Sequence, residues 1–269
     1  MRTYVITGSG SGIGAATREL LEAHGDRVIG VDLRNSEVVA DLSTPNGRQH
    51  MLREVEALVD VLDGVIACAG VSGGQNSSDL IISLNYFGAV ATLQGLRPLL
   101  AKSDKPRAAV VSSVALLRGN DDHLVQRCLD MDEPGALEAG RSGQGRYPYE
   151  GAKRALAYWI RRNAVTADWA GEGISLNAVA PGIIDTPLAA YMLGDTEAQK
   201  ATLNRVPQPL GVGKASDVAS LLAWLSGRGN GFVTGQTIFV DGGHEALTGP
   251  STLPRHAAIT SSPSAPLRA

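Results

Sequence analysis

The stretch Thr7-Gly8-Ser9-Gly10-Ser11-Gly12-Ile13-Gly14 follows a short apolar run, Tyr4-Val5-Ile6-Thr7, and opens a helical segment. A turn with so little Cβ bulk lets backbone amides at a helix N-terminus face a pyrophosphate. A glycine cluster by itself is as often a plain tight turn, and it is the strand–turn–helix context that selects phosphate binding. Working outward, similar runs recur at Val28-Ile29-Gly30-Val31, Val65-Ile66-Ala67, Val110-Val111, Ile174-Ser175-Leu176 and Ile238-Phe239-Val240. They are mostly apolar instead of alternating, as in strands covered by helices on both faces. Longer helical stretches separate them, so the fold class is α/β, a single-domain Rossmann-type doubly wound parallel sheet. The first helix is predicted from Gly12 to His24-Gly25, and Ser43-Thr44-Pro45 opens another with a cap and a proline. Others are predicted over residues 79–100, 149–169 and 217–225.

The composition of the 269-residue chain narrows the function classes. With 43% hydrophobic and 19% charged residues it can bury a sizeable core, and a net charge of −3 offers no basic field for nucleic acid or an anionic membrane. No apolar stretch reaches the ~18–20 residues that span a bilayer, and a strand begins where a signal peptide would stand, so a cytoplasmic protein is expected. Cys68 and Cys128 form no Cys-x-x-Cys pair and the five His no His-x-x-x-His pair. Neither a disulfide framework nor a metal site is expected.

Asp32 ends the second strand 18 positions after Gly14. That is close to the ~20 at which a carboxylate hydrogen-bonds a ribose 2′-hydroxyl, and its charge repels a 2′-phosphate. NAD is therefore the expected cofactor, with Arg34 leaving some room for NADP. Further along, Tyr149-Glu150-Gly151-Ala152-Lys153 sets a phenol and an ammonium four apart, on one helix face. A phenol with pKa ~10 is an acid/base at neutral pH only if nearby positive charge lowers it, and Lys153 is the available side-chain cation.

With these motifs in place, the sequence resembles the short-chain dehydrogenase/reductase family over nearly the whole chain up to about Gly243. The resemblance implies that Gly8, Ser11, Gly12, Ile13 and Gly14 bind NAD, that Asp32 sets nucleotide preference, and that Asp41-Leu42 contacts adenine. Ala69 and Gly70, in Cys68-Ala69-Gly70, match the loop under the cofactor ribose. The family's Asn-Asn-Ala-Gly reads Ala67-Cys68-Ala69-Gly70 here, without the two amides, and Cys68 reads as a small buried residue. The catalytic set implied is Asn85, Ser113, Tyr149 and Lys153. Tyr149 is the acid/base, Ser113 orients substrate with Ser112 as fallback, Asn85 holds a relay water, and Lys153 lowers the phenol's pKa and binds ribose. Pro181, Gly182, Ile184 and Thr186 match the turn that holds the nicotinamide carboxamide.

Ser113 lies 36 positions before Tyr149, a longer gap than is usual in the family, so residues 118–146 read as an insertion beside the active site. An amphipathic patch at Leu124, Val125, Cys128 and Leu129 predicts a short helix within it. This gap, VDLRNSEVVADLS, the Cys-Ala-Gly loop and SLNYFGA together resemble the bacterial 3α-hydroxysteroid dehydrogenase/carbonyl reductase group. That implies a lipophilic alcohol or ketone substrate, with Leu116, Leu188, Tyr191 and Met192 as candidate walls. Reduction of a 3-oxoacyl thioester or sugar ketone, and a non-catalytic NAD-binding module, are the alternatives. Family members commonly assemble through the Tyr/Lys helix. The insertion therefore either covers that interface, leaving a homodimer through the C-terminal strand region, or closes the cleft as a lid. Its Asp121, Asp122, Asp130, Asp132 and Glu133 favour the solvated cover. The domain is expected to span residues 1–245, with a Pro/Ser/Thr-rich tail over 246–269 that buries little.

Overall fold

The computed structural model describes residues 1–73, 76–119, 122–142, 147–194 and 196–249. A seven-stranded parallel sheet contains β1 (Thr3–Thr7), β2 (Arg27–Asp32), β3 (Val38–Val39), β4 (Gly64–Ala67), β5 (Arg107–Val111), β6 (Ser175–Pro181) and, after two short strands, β9 (Thr237–Val240). Its order is β3-β2-β1-β4-β5-β6-β9, so the chain winds outward from β1 and then returns to place β4 on β1's other side. This is the expected doubly wound sheet. Its switch point opens between the loops after β1 and β4, where such folds bind ligands. The short strands β7 (Ile184–Asp185) and β8 (Gly213–Lys214) form a separate parallel pair.

Residues on the two faces of the strands feed two cores. Tyr4, Ile6, Ile66, Ala109 and Val179 pack with α1 (Gly12–Ala23) and α9 (Ala215–Ser226), which supply Leu21, Val218, Leu222 and Leu225. Val5, Val65, Ala108, Val110 and Leu176 face α2 (Pro45–Leu58), α4 (Ala89–Leu100) and α7 (Pro148–Asn163). Thr44 caps α2 by accepting from the Gly47 amide, as the Ser-Thr-Pro signal required. α3 (Ser78–Ile82) runs into α4 through a π-helical segment, Ser83–Gly88, inside the stretch predicted as one helix.

The predicted helix over residues 149–169 ends at Asn163. Thr166 and Trp169 turn the chain by Thr166 N–H···O=C Asn163 (2.9 Å) and Trp169 N–H···O=C Thr166 (3.2 Å). Trp169 is buried nonetheless, edge-on to Trp159 at 5.9 Å, which explains why its apolar spacing reads as helix. The insertion holds two helices where one was expected, α5 (Asp122–Leu129) and α6 (Glu133–Arg141). Leu124, Val125 and Cys128 are buried, whereas Leu129 is only partly so. α5 lies on α7, where Leu124 packs against Gly151, and α6 lies on α3, where Gly140 meets Ile82. The described part of the insertion thus covers the outer face of the sheet's helical layer. Residues 120–121 and 143–146 of the expected insertion lie outside the described residues. The expected domain boundary at 245 falls inside α10 (His244–Thr248), whose start is held by Asp241 accepting from the Gly243 and Glu245 amides. The expected tail beyond residue 249 also lies outside the described residues.

Candidate active site

The turn after β1 has a shape that requires glycine. Gly8 (φ +69°) and Gly12 (φ +53°) occupy the left-handed region, and a Cβ on Gly8 would stand 2.8 Å from the Ala69 nitrogen. A Cβ on Gly14 would overlap the Gly8 carbonyl oxygen. Ser11 caps α1 in extended conformation with no side-chain hydrogen bond, so the first amides of the helix are not claimed by its hydroxyl. Asp32 crosses to the same turn: its carboxylate accepts from the Gly10 amide at 2.9 Å and the Leu33 amide at 2.7 Å. This bare cradle of amides, with a carboxylate fixed at its edge, fits a dinucleotide whose pyrophosphate sits over the α1 N-terminus.

Tyr149 stands in the first turn of α7, just after Pro148 at the helix start. The Ser113 hydroxyl, just beyond β5, lies beside the phenol and accepts from the Ala115 amide at 3.2 Å. Ser112 turns the other way, its Oγ donating to the Lys153 main-chain carbonyl (3.0 Å), which leaves Ser113 as the serine beside Tyr149. Lys153 is buried, its Nζ donating to the Val111 carbonyl at 2.7 Å and lying 5.9 Å from the Tyr149 ring centroid. Burial pushes its ammonium down to about 8. The expectation that Lys153 lowers the phenol's pKa is not met. Burial pushes Tyr149 up, and the opposing pulls come from the neighbouring Ser113 hydroxyl and the Arg118 guanidinium. Cys68 is pushed up to about 12 by burial, which fits an inert thiol and no nucleophile.

Asn85 sits in the π-helical segment. Its Oδ1 accepts from the Val71 amide (2.9 Å) and its Nδ2 donates to the Val71 carbonyl (3.0 Å), so the amide braces the loop after β4. Ala69 N–H donates to Thr7 Oγ1 at 3.1 Å, which ties that loop to the end of β1 in the absence of the family's two asparagines. On the opposite side, Pro181 ends β6 and Gly182 leads into Ile183, whose amide and carbonyl are both gripped by the Gln208 side chain. Thr186 Oγ1 donates to the Ile184 carbonyl, and its methyl faces Gly12 across the gap.

All the residues expected to act at the site, from Gly8 through Asp32, Asp41, Leu42 and Asn85 to Thr186, line one cleft of about 810 Å³. That is within the ~300–1,000 Å³ of small-molecule sites. Leu188, Tyr191 and Met192 line the cleft as expected, but Leu116 does not. Leu116 belongs to the 3₁₀ turn Val114–Leu117, and its carbonyl is held by Arg154 Nε at 2.8 Å. Sequence reasoning missed Val114, Arg118, Tyr147 and Val206, which also line the cleft. Arg118 opens the insertion and Tyr147 follows its last residue, and the Tyr147 ring packs over Gly119. Their place beside Ser113 and Tyr149 was a usable signal, whereas nothing local marks Val206. Among the described residues there is no cluster of metal-ligating side chains, and no helix is long and apolar enough to cross a membrane.

Residues 2–123 match the family model for short chain dehydrogenase, and residues 135–245 match the one described as enoyl-(acyl carrier protein) reductase. The chain is 36% identical to a 3-alpha-hydroxysteroid dehydrogenase/carbonyl reductase of Comamonas testosteroni, over 93% of this chain and 99% of that one. A coniferyl-alcohol dehydrogenase from a Pseudomonas species is 29% identical, covering 90% of this chain and 96% of its own length. Among solved structures, the 3-alpha-hydroxysteroid dehydrogenase of Pseudomonas sp. B-0831 in complex with NADH superposes with a TM-score of 0.87 at 40% identity, covering 93% of this chain and all of that one. The chain belongs to the short-chain dehydrogenase/reductase family. It is an oxidoreductase acting on CH–OH groups and the corresponding carbonyls.

Proposed function

We propose that the protein is a cytoplasmic, NAD(H)-dependent dehydrogenase that interconverts a lipophilic secondary alcohol and its ketone, with a 3α-hydroxysteroid as the preferred type of substrate. The observation that carries this reading is the gathering of Ser113, Tyr149 and Lys153 on the wall of one cleft that the glycine turn, Leu188, Tyr191 and Met192 also line. Likeness to hydroxysteroid dehydrogenases supports the substrate class, and the NADH in the solved relative supports the cofactor. Bound nicotinamide supplies the hydride acceptor or donor. Everything else falls to the chain. Asp32 and the amides of Gly8 to Gly14 would hold the dinucleotide, with Asp41 and Leu42 toward its adenine and Ala69 and Gly70 toward its ribose. The Pro181-Gly182 turn with Ile184 and Thr186 would hold the carboxamide. Ser113 Oγ holds the substrate oxygen while Tyr149 Oη gives it a proton in reduction or takes one in oxidation. Lys153, whose ammonium lies beside Asn85 where a Cβ on Gly70 would meet both, would contact the ribose hydroxyls. A spectrophotometric screen of NAD reduction with 3α-hydroxysteroids, simple secondary alcohols and sugars, and of NADH oxidation with a 3-oxoacyl thioester, tests this directly. Preference for the thioester or a sugar would overturn the substrate class.

The raised Tyr149 phenol sets the sign of the pH dependence. Oxidation needs the phenolate, so its kcat/KM is expected to climb with pH throughout the range below the phenol's pKa. Carbonyl reduction needs the neutral phenol and is expected to decline over the same range. Initial rates in both directions across pH 6–10 check this, and parallel profiles in the two directions would remove Tyr149 from the role.

We also propose a homodimer. α5 and α6 cover α7 and α3, while β9 is an edge strand of the sheet and Phe232 and Leu247 near it are exposed. Sedimentation is expected to give a dimer, and replacing residues 119–146 by a short loop is expected to raise the assembly state. A tetramer formed by the intact chain would contradict the cover. An unchanged assembly state with an altered substrate KM in the shortened chain would favour a lid.

A further inference from the structure

The insertion is bound to the coenzyme end of the cleft through one buried arginine. Arg48, on α2, forms a two-point ion pair with Glu133 at the start of α6, Nη1 and Nη2 each lying 2.7 Å from a carboxylate oxygen. The same guanidinium donates to three main-chain carbonyls: Leu42 (2.8 Å), Ser43 (3.2 Å) and Ser83 (2.9 Å). Leu42 belongs to the pair that borders adenine in the reading above, and Ser83 opens the π-helical segment whose Leu84 and Asn85 line the cleft. These two segments are already in close packing, since a Cβ on Gly88 would stand 2.9 Å from the Leu42 carbonyl oxygen. The far end of α6 is fastened independently by the Arg141–Asp79 pair to α3.

We propose that Glu133 is a positioning residue for coenzyme binding: through Arg48 it fixes the Leu42-Ser43 loop and the π-helical segment, and so the adenosine half of the cleft. The inference rests on the NAD reading of that cleft. A guanidinium that lost its carboxylate would keep its charge in a buried place, and its three carbonyl bonds would no longer be held in one geometry. The consequence falls on the adenosine half, while Ser113 and Tyr149, on other elements, keep their places.

The test uses the full chain with Glu133→Ala and Glu133→Asp, and titrates NADH, AMP and reduced nicotinamide mononucleotide by fluorescence or calorimetry. Glu133→Ala is expected to weaken AMP and NADH by on the order of tenfold, to leave the mononucleotide unchanged, and to leave kcat at saturating NADH unchanged. Glu133→Asp is expected to recover most of the loss. A melting temperature that falls while AMP and NADH affinities stay within about twofold of the parent would overturn the inference and reduce the pair to a structural tie, as would equal weakening of AMP and the mononucleotide. A parent chain that bound neither AMP nor NADH would overturn the inference together with the NAD reading. A parent that bound both, beside an unaffected Glu133→Ala, would overturn the inference alone.

Discussion

Replacing Tyr149 with Phe is expected to lower kcat roughly a thousandfold, equivalent to about 4 kcal/mol of transition-state stabilisation, while NADH affinity stays within a few-fold of the parent. The ring is partly buried, packed beside Gly73 and under the Lys153 ammonium, and Phe fills the same space, so the packing of α7's first turn survives. What disappears is the ionisable hydroxyl that stands beside Ser113 in the cleft. Ser113 cannot replace it, because its hydroxyl lies far from ionisation near neutral pH and is engaged by the Ala115 amide. A stopped-flow single-turnover measurement separates chemistry from coenzyme release. Retention of more than a few per cent of the parent's single-turnover rate would show that another group moves the proton.

How much of this was readable before the structure depends on the sequence distance over which each feature is made. The glycine turn, Asp32 and the Tyr149/Lys153 spacing are local patterns with a backbone or helical reason, and the fold places all of them on one cleft. The sheet was legible for the same reason: runs such as Val65-Ile66-Ala67 have to be covered on both faces. The boundaries that failed were decided by tertiary contacts. Trp169 has the spacing of a helix residue but reaches its place beside Trp159 through a turn. The second helix of the insertion begins at Glu133 after Asp132, which caps it by accepting from the Gly135 amide, and its weak apolar pattern of Ala136, Ala139 and Gly140 hides a close approach to Ile82. Arg48 and Glu133 are 85 positions apart, and neither has a local pattern that names its partner. Gln208 gripping Ile183 is likewise invisible to a reading by motif. The direction of the Tyr149 shift was missed because desolvation depends on everything packed around a group, while the sequence shows only the cation four residues away.

The charge at the edge of the glycine cradle sets the second large effect, coenzyme selection. Both Asp32 oxygens are engaged by backbone amides, Oδ2 by Gly10 and Oδ1 by Leu33, so the carboxylate is fixed where the adenosine ribose would lie and cannot swing away from a 2′-phosphate. The parent is therefore expected to prefer NAD over NADP by about a hundredfold or more in kcat/KM, and Asp32→Ala to narrow that ratio at least tenfold, or about 1.4 kcal/mol. Two separate changes narrow it: NAD loses an acceptor for its ribose hydroxyl, and NADP loses a repulsion. Asp32→Asn distinguishes them, since the amide oxygen still accepts a hydrogen bond while the charge is gone. If repulsion dominates, Asn and Ala raise NADP turnover alike and Asn keeps most of the NAD turnover; if the ribose hydrogen bond dominates, NAD falls in Ala and NADP barely rises. Initial rates with both coenzymes at one fixed alcohol concentration settle the matter, and equal use of NAD and NADP by the unaltered protein would remove Asp32 from the selecting role.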